Sequence, residues 1–367
     1  MLKQAFLSTL LLSALSVQAQ EKSFTIEGIV PLPDGYNASL LCHTDTAYST
    51  MMAESWVKDG KFLLTGRVDK PYQGTLMTNN LRLVEQNKWP TDSIRWTYTP
   101  VFVSSGDLEF GVAVESSYQP LEVALALTGT QVQADYNELR RLGGERDADA
   151  WAFIGSHPQS VISVWLGNRL MERAYNLTAD QVEFLAQTVK GSSEDPQRFA
   201  LFQKQLAAAR KMVKDSPLTD LELVDAAGNP CHLTDVMPRN GKYVLIDFWA
   251  SWCGICIHAM PDVAKLAEDF KDRFEVIAVS IDTKADAWHK AMEKHPEPWP
   301  QYCTTKVGYQ DLFDKYQVGN GVPYYLLVSP EGKVLFSPSG PEAVRAFLEE
   351  TKGKGRLWNR HTAPKLR

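Results

Sequence analysis

The sequence predicts an α/β fold over residues 216–352, a mixed central sheet flanked by helices, preceded by a small antiparallel β domain and a helical segment. Three observations predict it. Residues 21–115 alternate apolar and polar side chains between turn clusters, which is the period of strands. Residues 120–215 change to apolar spacings of three and four, which is the period of helices. Beyond 216, short apolar runs alternate with amphipathic stretches, the pattern of strands joined by helices over both faces of a sheet.

The first residues read as a processing segment. Lys3 gives a positive start, residues 5–17 are apolar, and Val17-Gln18-Ala19 offers small side chains before a cut that leaves Gln20 first. Residues 1–19 are therefore expected to be a signal peptide of an exported protein. The stretch is short for a membrane span, and no cysteine near the cut could carry a lipid. No transmembrane segment is expected in the mature chain.

Residues 20–116 are expected to form the antiparallel β domain. Residues 23–30 place Phe24, Ile26 and Ile29 in an extended run, and Pro31-Leu32-Pro33-Asp34-Gly35 is a turn cluster. Further runs cover 38–43, 75–78, 97–103 and 107–114. Residues 51–58 and 61–68 flank Asp59-Gly60, a pair suited to the positive φ angles of a two-residue hairpin turn. His43 and Asp45 are too sparse for a metal site.

Residues 117–215 are expected to be helical. Val132, Tyr136 and Leu139 share one face; Val161, Val164, Trp165 and Leu166 follow His157-Pro158. Thr178 with Gln181 is a capping-box pair ahead of Val182, Leu185 and Val189, and Phe199, Phe202 and Leu206 mark another helix. Asp215-Ser216-Pro217 is the expected boundary. After it come strands at 218–224 and 231–233, a central strand at 243–249 and a helix at 257–270. A strand at 274–281, helices at 286–293 and 309–316, a hairpin of 324–329 with 333–336 and a closing helix at 341–352 complete the order. Residues 353–367, rich in Arg and Lys, read as a tail.

Hydrophobic residues make up 44% and charged residues 22% of the chain, ordinary values for a packed core. A net charge of −6 gives no basic field for nucleic acid or an anionic membrane. Five cysteines are present, so at least one is unpaired. Cys231 and Cys303 lie in one domain and could pair, although small core fillers are the expected reading.

The chemistry gathers at Trp252-Cys253-Gly254-Ile255-Cys256, where the central strand runs into a helix N-terminus. Free N–H groups and the helix dipole there favour a thiolate over a thiol. Cysteines at i and i+3 on the first turn can reach each other to close a disulfide. Cys253 is the expected nucleophile and Cys256 the residue that resolves the mixed disulfide. Asp247 sits in the apolar strand with hydrophobic neighbours on both faces, so its carboxyl is expected to titrate high. Trp252 is expected to form an apolar rim for a peptide. No cofactor and no metal are expected: zinc would need more ligands, and Ile257 interrupts the Cys-x-x-Cys-His of a covalent haem.

Asp247-Phe248-Trp249-Ala250-Ser251-Trp252-Cys253-Gly254-Ile255-Cys256 resembles the active-site segment of thioredoxins. Gly241-Lys242, Met260-Pro261, Ser280-Ile281-Asp282 and Val322-Pro323 extend the likeness to the TlpA/ResA-like branch of exported bacterial thiol–disulfide oxidoreductases. Phe24-Thr25-Ile26-Glu27-Gly28 and Val57-Lys58-Asp59-Gly60-Lys61-Phe62 resemble an uncharacterised β domain often fused ahead of such domains. The resemblance implies a thioredoxin fold and a protein-disulfide oxidoreductase, here expected to be a reductase. Asp247 would accept the Cys256 proton during resolution, and a cis Val322–Pro323 peptide would face the cysteines with its backbone open to substrate. It implies protein thiols and disulfides of the periplasm or cell envelope as partners, with an upstream membrane thiol–disulfide donor. Ile255 replaces a proline common at that position, and Ala259 stands where relatives often carry an acid. A thioredoxin-fold peroxidase is the first alternative, but its Pro-x-x-x-Thr/Ser-x-x-Cys segment is absent. An envelope binding or scaffold protein with a vestigial dithiol is the second. The roles open to residues 21–215 include client positioning and homodimer formation.

Overall fold

A computed structural model describes residues 22–30, 32–43, 49–111, 126–143, 146–316 and 321–352. The expected signal peptide and tail lie outside the described residues. The chain divides into two compact units, Met1–Glu145 and Arg146–Arg367.

In the first unit the alternating runs become β1 (Ser23–Ile29), β2 (Asn37–His43), β3 (Ser49–Trp56), β4 (Lys61–Arg67) and β5 (Tyr72–Asn79). A short helix α1 (Leu81–Asn87), then β6 (Trp96–Val103), β7 (Gly106–Gly111), β8 (Ala126–Thr128) and α2 (Gln131–Leu142) follow. They form two four-stranded sheets in the orders β4-β1-β7-β8 and β3-β2-β5-β6. Phe24, Ile26 and Leu64 from one sheet share a core with Leu40, Leu76 and Val101 from the other. Each such side chain contributes ~1.5–3 kcal/mol by leaving water.

Two features depart from the sequence reading. Asp59 and Gly60 do take positive φ (52° and 69°), and Lys58 and Lys61 exchange backbone hydrogen bonds across them. However, β3 and β4 then join different sheets, so the turn carries the chain from one layer to the other. The domain is also not wholly antiparallel, because β1 pairs with β7 in parallel. The face of Val132, Tyr136 and Leu139 on α2 is buried; Tyr136 packs edge-on against Phe102, and Gln133 Oε1 accepts from Phe102 N at 2.7 Å. The stretch expected as one helical segment is therefore shared between the units.

The second unit opens with α3 (Asp147–Ser156), α4 (Val161–Met171), α5 (Ala179–Thr188) and α6 (Pro196–Ala209). The capping box is formed: Thr178 Oγ1 accepts from Gln181 N, and Gln181 Oε1 accepts from Thr178 N. These helices are stitched to the α/β part. Asn176 and Ser337 exchange two hydrogen bonds, Tyr175 packs 6.2 Å from Tyr316, and Asp215 N and Ser216 O bond to Val334.

The α/β part comprises β9 (Glu222–Asp225), β10 (Pro230–His232), α7 (Leu233–Val236), β11 (Tyr243–Trp249), α8 (Gly254–Asp269) and β12 (Phe274–Ser280). It continues with α9 (Ala285–Lys294), β13 (Gln301–Thr304), α10 (Lys306–Lys315), β14 (Tyr324–Val328), β15 (Val334–Phe336) and α11 (Pro341–Glu350). The seven strands run β10-β9-β13-β12-β11-β14-β15, with β11 paired in parallel to β12 and antiparallel to β14. The β13 strand, absent from the sequence reading, lies between β12 and β9.

Side chains of β11 alternate between faces. Phe347 of α11 packs edge-on against Tyr243, and Arg345 of α11 pairs with Asp269 of α8 at 2.9 Å. Helices α8 and α11 thus cover the face of Tyr243, Leu245, Asp247 and Trp249. Phe248 points the other way, toward Tyr316 at 5.8 Å. On this sheet Cys231 is opposite Leu223 and Cys303 opposite Val224, so the two cysteines flank β9 on opposite faces. Two strand spacings, about 9.6 Å, exceed disulfide reach, and both are free thiols.

A Cβ added to Gly308 of α10 would drive into the Glu222 carbonyl oxygen, which belongs to β9 backbone and cannot swing aside. Gly308→Ala is expected to cost ~1–3 kcal/mol in urea unfolding by forcing α10 off the sheet.

Candidate active site

Strand β11 ends at Trp249, and the next four residues are held tightly before α8 begins. Trp249 is fully buried, and its indole donates to Gln301 Oε1 at 3.2 Å. Trp249 O accepts from Ile281 N, and Ala250 O accepts from Cys253 N. Asp282, at the carboxyl end of β12, accepts from Ser251 N (2.8 Å), Ser251 Oγ (2.7 Å) and Ser280 Oγ (2.7 Å). This buried carboxylate fixes the loop that leads into the cysteines. In the sequence Asp282 stands out only as the last residue of Ser280-Ile281-Asp282. An acid at the carboxyl end of a central strand, where α/β folds place their sites, was the available signal.

Cys253 caps α8. Its sulfur accepts from the Cys256 backbone N–H at 3.1 Å, so one free donor of the first turn already points at it. Cys253 and Cys256 are joined as a disulfide with Cα atoms 5.3 Å apart. Cys253 is 6% exposed and Cys256 2%, so the first sulfur is the more accessible. Trp252 and Ile255 beside them are 66% and 72% exposed, an apolar rim at the helix tip. The Val322–Pro323 peptide is cis, and Val322 O lies 3.5 Å from Cys253 Sγ. Sequence positions about 70 apart thus meet over one sulfur. His258 is exposed on α8.

Asp247 is 2% exposed on β11, between the sheet and α8. It pairs across the sheet with Tyr325, two residues past Pro323, and its Oδ1 has no hydrogen-bond partner. Burial, reinforced by the charge of Glu297, pushes its carboxyl up to about 7. The other thiols are the contrary case. Burial pushes Cys42 up to about 12 and Cys303 up to about 11, and burial with Asp225 and Asp235 raises Cys231. These three are poor nucleophiles at neutral pH. A cavity of about 340 Å³ borders the second half of α8 at Ala264 and Ala267, roughly 12 Å along the helix from Cys256.

A profile of the Thioredoxin-like family matches residues 240–334, which run from β11 through β14 to the first residue of β15 and include the cysteines and the cis proline. Residues 240–334 are a thioredoxin-like domain. This domain is homologous to ResA-type thiol–disulfide oxidoreductases. The chain is 27% identical over 138 residues to the thiol–disulfide oxidoreductase ResA of Bacillus subtilis, covering 37% of this chain and 73% of that one. It is 38% identical over 108 residues to the thioredoxin-like protein YneN of the same organism, covering 29% of this chain and 61% of that one. A solved thioredoxin domain of a thiol–disulfide oxidoreductase from Bacteroides vulgatus is 31% identical, covering 37% of this chain and 96% of that one, with a TM-score of 0.34. Homology to these oxidoreductases and the Cys253–Cys256 pair together support a dithiol redox function.

Proposed function

We propose that this protein is a protein-disulfide oxidoreductase, working as a reductase of exported proteins through Cys253 and Cys256. The observation that carries the reading is the closed dithiol at the α8 N-terminus, with the Val322 carbonyl 3.5 Å from Cys253 Sγ. Cys253 is the nucleophile, stabilised as a thiolate by the helix N-terminus, and Cys256 is the resolving thiol. Trp252 and Ile255 give a visiting chain an apolar seat, while the Val322 backbone gives it a strand-like partner ahead of Pro323. Asp247 takes the Cys256 proton.

The apolar stretch at 5–17 behind Lys3 supports export to a bacterial periplasm or cell envelope. Among the described residues no helix is long and apolar enough to cross a membrane. Each turnover as a reductase leaves the dithiol oxidised, so a membrane thiol–disulfide donor upstream is part of the proposal.

Thiol titration and an insulin reduction assay test it. The reduced protein is expected to show two more thiols than the oxidised protein and to speed insulin reduction by dithiothreitol. Its couple is expected near thioredoxin's, at about −270 mV, rather than near the oxidant value of about −120 mV. Equal thiol counts in the two states, or insulin reduced at the uncatalysed rate, would reverse the reading.

A further inference from the structure

Closing a disulfide needs Cys253 and Cys256 in register before the bond exists. In the oxidised protein the S–S bond itself holds Cys253 against α8. In the reduced protein that clamp is gone, and the loop between β11 and α8 must be held by other means. Ala250 O accepts from Cys253 N at 3.0 Å, and the Cys253 sulfur accepts from Cys256 N at 3.1 Å. Both bonds are local and tie the segment only to itself. Trp249 O accepts from Ile281 N at 2.8 Å, which fixes the end of the strand and stops short of the loop.

Asp282 supplies a hold from outside the loop. Its carboxyl takes Ser251 from two directions, Oδ2 accepting from the backbone N–H at 2.8 Å and Oδ1 from the hydroxyl at 2.7 Å. A two-point contact of this kind fixes orientation as well as distance. Asp282 is itself pinned. Ser280 Oγ donates to Oδ2 at 2.7 Å and accepts from Asp282 N at 3.0 Å, and Cys303 Sγ of β13 donates to Asp282 O at 3.3 Å. Burial pushes the Cys303 thiol up to about 11, so it keeps the proton that it donates. Asp282 is 6% exposed. A carboxyl buried this far costs stability unless donors meet its oxygens. Two of the three donors it meets come from one residue, two positions ahead of Cys253. The ends of β12 and β13 thus converge on Ser251.

We infer that Asp282 is a positioning residue of the dithiol, a latch that keeps the Ser251–Cys253 loop of the reduced protein in the geometry of the oxidised one and so sets how readily the disulfide closes. This rests on the dithiol reading above. Asp282 acts on the sulfurs through Ser251. With the latch in place, little order remains to be imposed when the S–S bond forms. Without it, the reduced loop gains a freedom that the oxidised loop, still clamped by its disulfide, does not. Fixing one backbone residue costs about a factor of ten in an equilibrium. Loss of the latch is therefore expected to make the disulfide about tenfold easier to open.

Equilibration of the full-length protein with mixtures of reduced and oxidised dithiothreitol tests this. One dithiothreitol closes its ring, and the two electrons and two protons that it loses open the Cys253–Cys256 bond to two thiols. Asp282→Ala is expected to reach half-reduction at about one tenth of the wild-type ratio of reduced to oxidised dithiothreitol, a rise of about 30 mV. Asp282→Asn, which keeps an acceptor oxygen in the same shape, is expected to restore most of the wild-type midpoint. Ser251→Ala, which loses only the hydroxyl bond, is expected to shift the midpoint the same way by about threefold, and it decides the matter if Asp282→Ala does not fold. A residue that only props up the fold weakens oxidised and reduced protein alike and leaves this midpoint where it was. An unmoved midpoint therefore overturns the inference, however far stability to urea falls. So does a midpoint shifted as far in Asp282→Asn as in Asp282→Ala. If the unsubstituted protein shows no two-electron midpoint, the dithiol reading itself has failed and the latch with it.

Discussion

Cys256→Ser is expected to convert the protein into a trap, holding a disulfide-bearing substrate on Cys253 as a mixed disulfide visible on non-reducing gels. Cys253→Ser is expected to trap nothing, and both variants to lose disulfide reduction by ~10³-fold or more, as loss of a member of a concerted pair does. The reason is the asymmetry of the two sulfurs. Cys253 caps a 16-residue helix, receives the Cys256 N–H at 3.1 Å and is the more exposed sulfur. Cys256 is one turn inside, 2% exposed, and reaches outward only as far as Cys253. The remaining thiols do not blur the result, because Cys42 and Cys303 are buried with thiols held high, and Cys231 is raised as well. Mass spectrometry of the trapped adduct checks the prediction. A substrate linked through Cys231 instead would refute it.

Asp247→Asn is expected to make the protein more stable at neutral pH while slowing disulfide closure by ~10²–10⁴-fold. The sign follows from proton uptake. Asp247 titrates near its usual 3.8 when unfolded and at about 7 when folded, because burial and Glu297 both disfavour its charge. Between those values the folded state binds the extra proton, so stability falls as pH rises from about 4 to about 7 and stays low above that. Below about 4 both states are protonated and the penalty is gone. A difference of roughly three pH units corresponds to a penalty on the order of 4 kcal/mol at pH 8. Asparagine carries no charge, so its urea midpoint is expected to exceed the wild-type value at pH 8 and to converge on it near pH 4. Equal midpoints at pH 8 would show that Asp247 is not a strained buried acid. Persistence of a residue that weakens the fold is understandable when its proton is needed during turnover.

Parts of this architecture are legible in local chemistry. The strand entering Cys253 and the Thr178–Gln181 capping box are each decided by a few neighbouring residues and form as read, and Asp59-Gly60 takes its positive φ angles although the hairpin read around it does not form. What lies beyond reach depends on partners distant in the chain. Nothing near Asp59-Gly60 says that β3 will leave β4 for β2, because that choice is made by which apolar faces meet across the core. Strand β13 has four residues behind a Pro-Trp-Pro run, too few to show a period, and it exists because β12 and β9 leave a gap. The burial that raises the Asp247 carboxyl is likewise set by elements far along the chain, since its strand pairs with β12 on one side and β14 on the other.

The stitching of Asp215 and Ser216 to Val334, with Leu218 N bonded to Gly332 O, has a consequence for how the chain can be cut. The outermost strand of a sheet is a ready template for unwanted neighbours. Here the connecting peptide lies along that rim and occupies its hydrogen-bonding groups. What looks in the sequence like a hinge between modules works as a selvedge, and the catalytic layer cannot be excised at residue 216 without baring its own border.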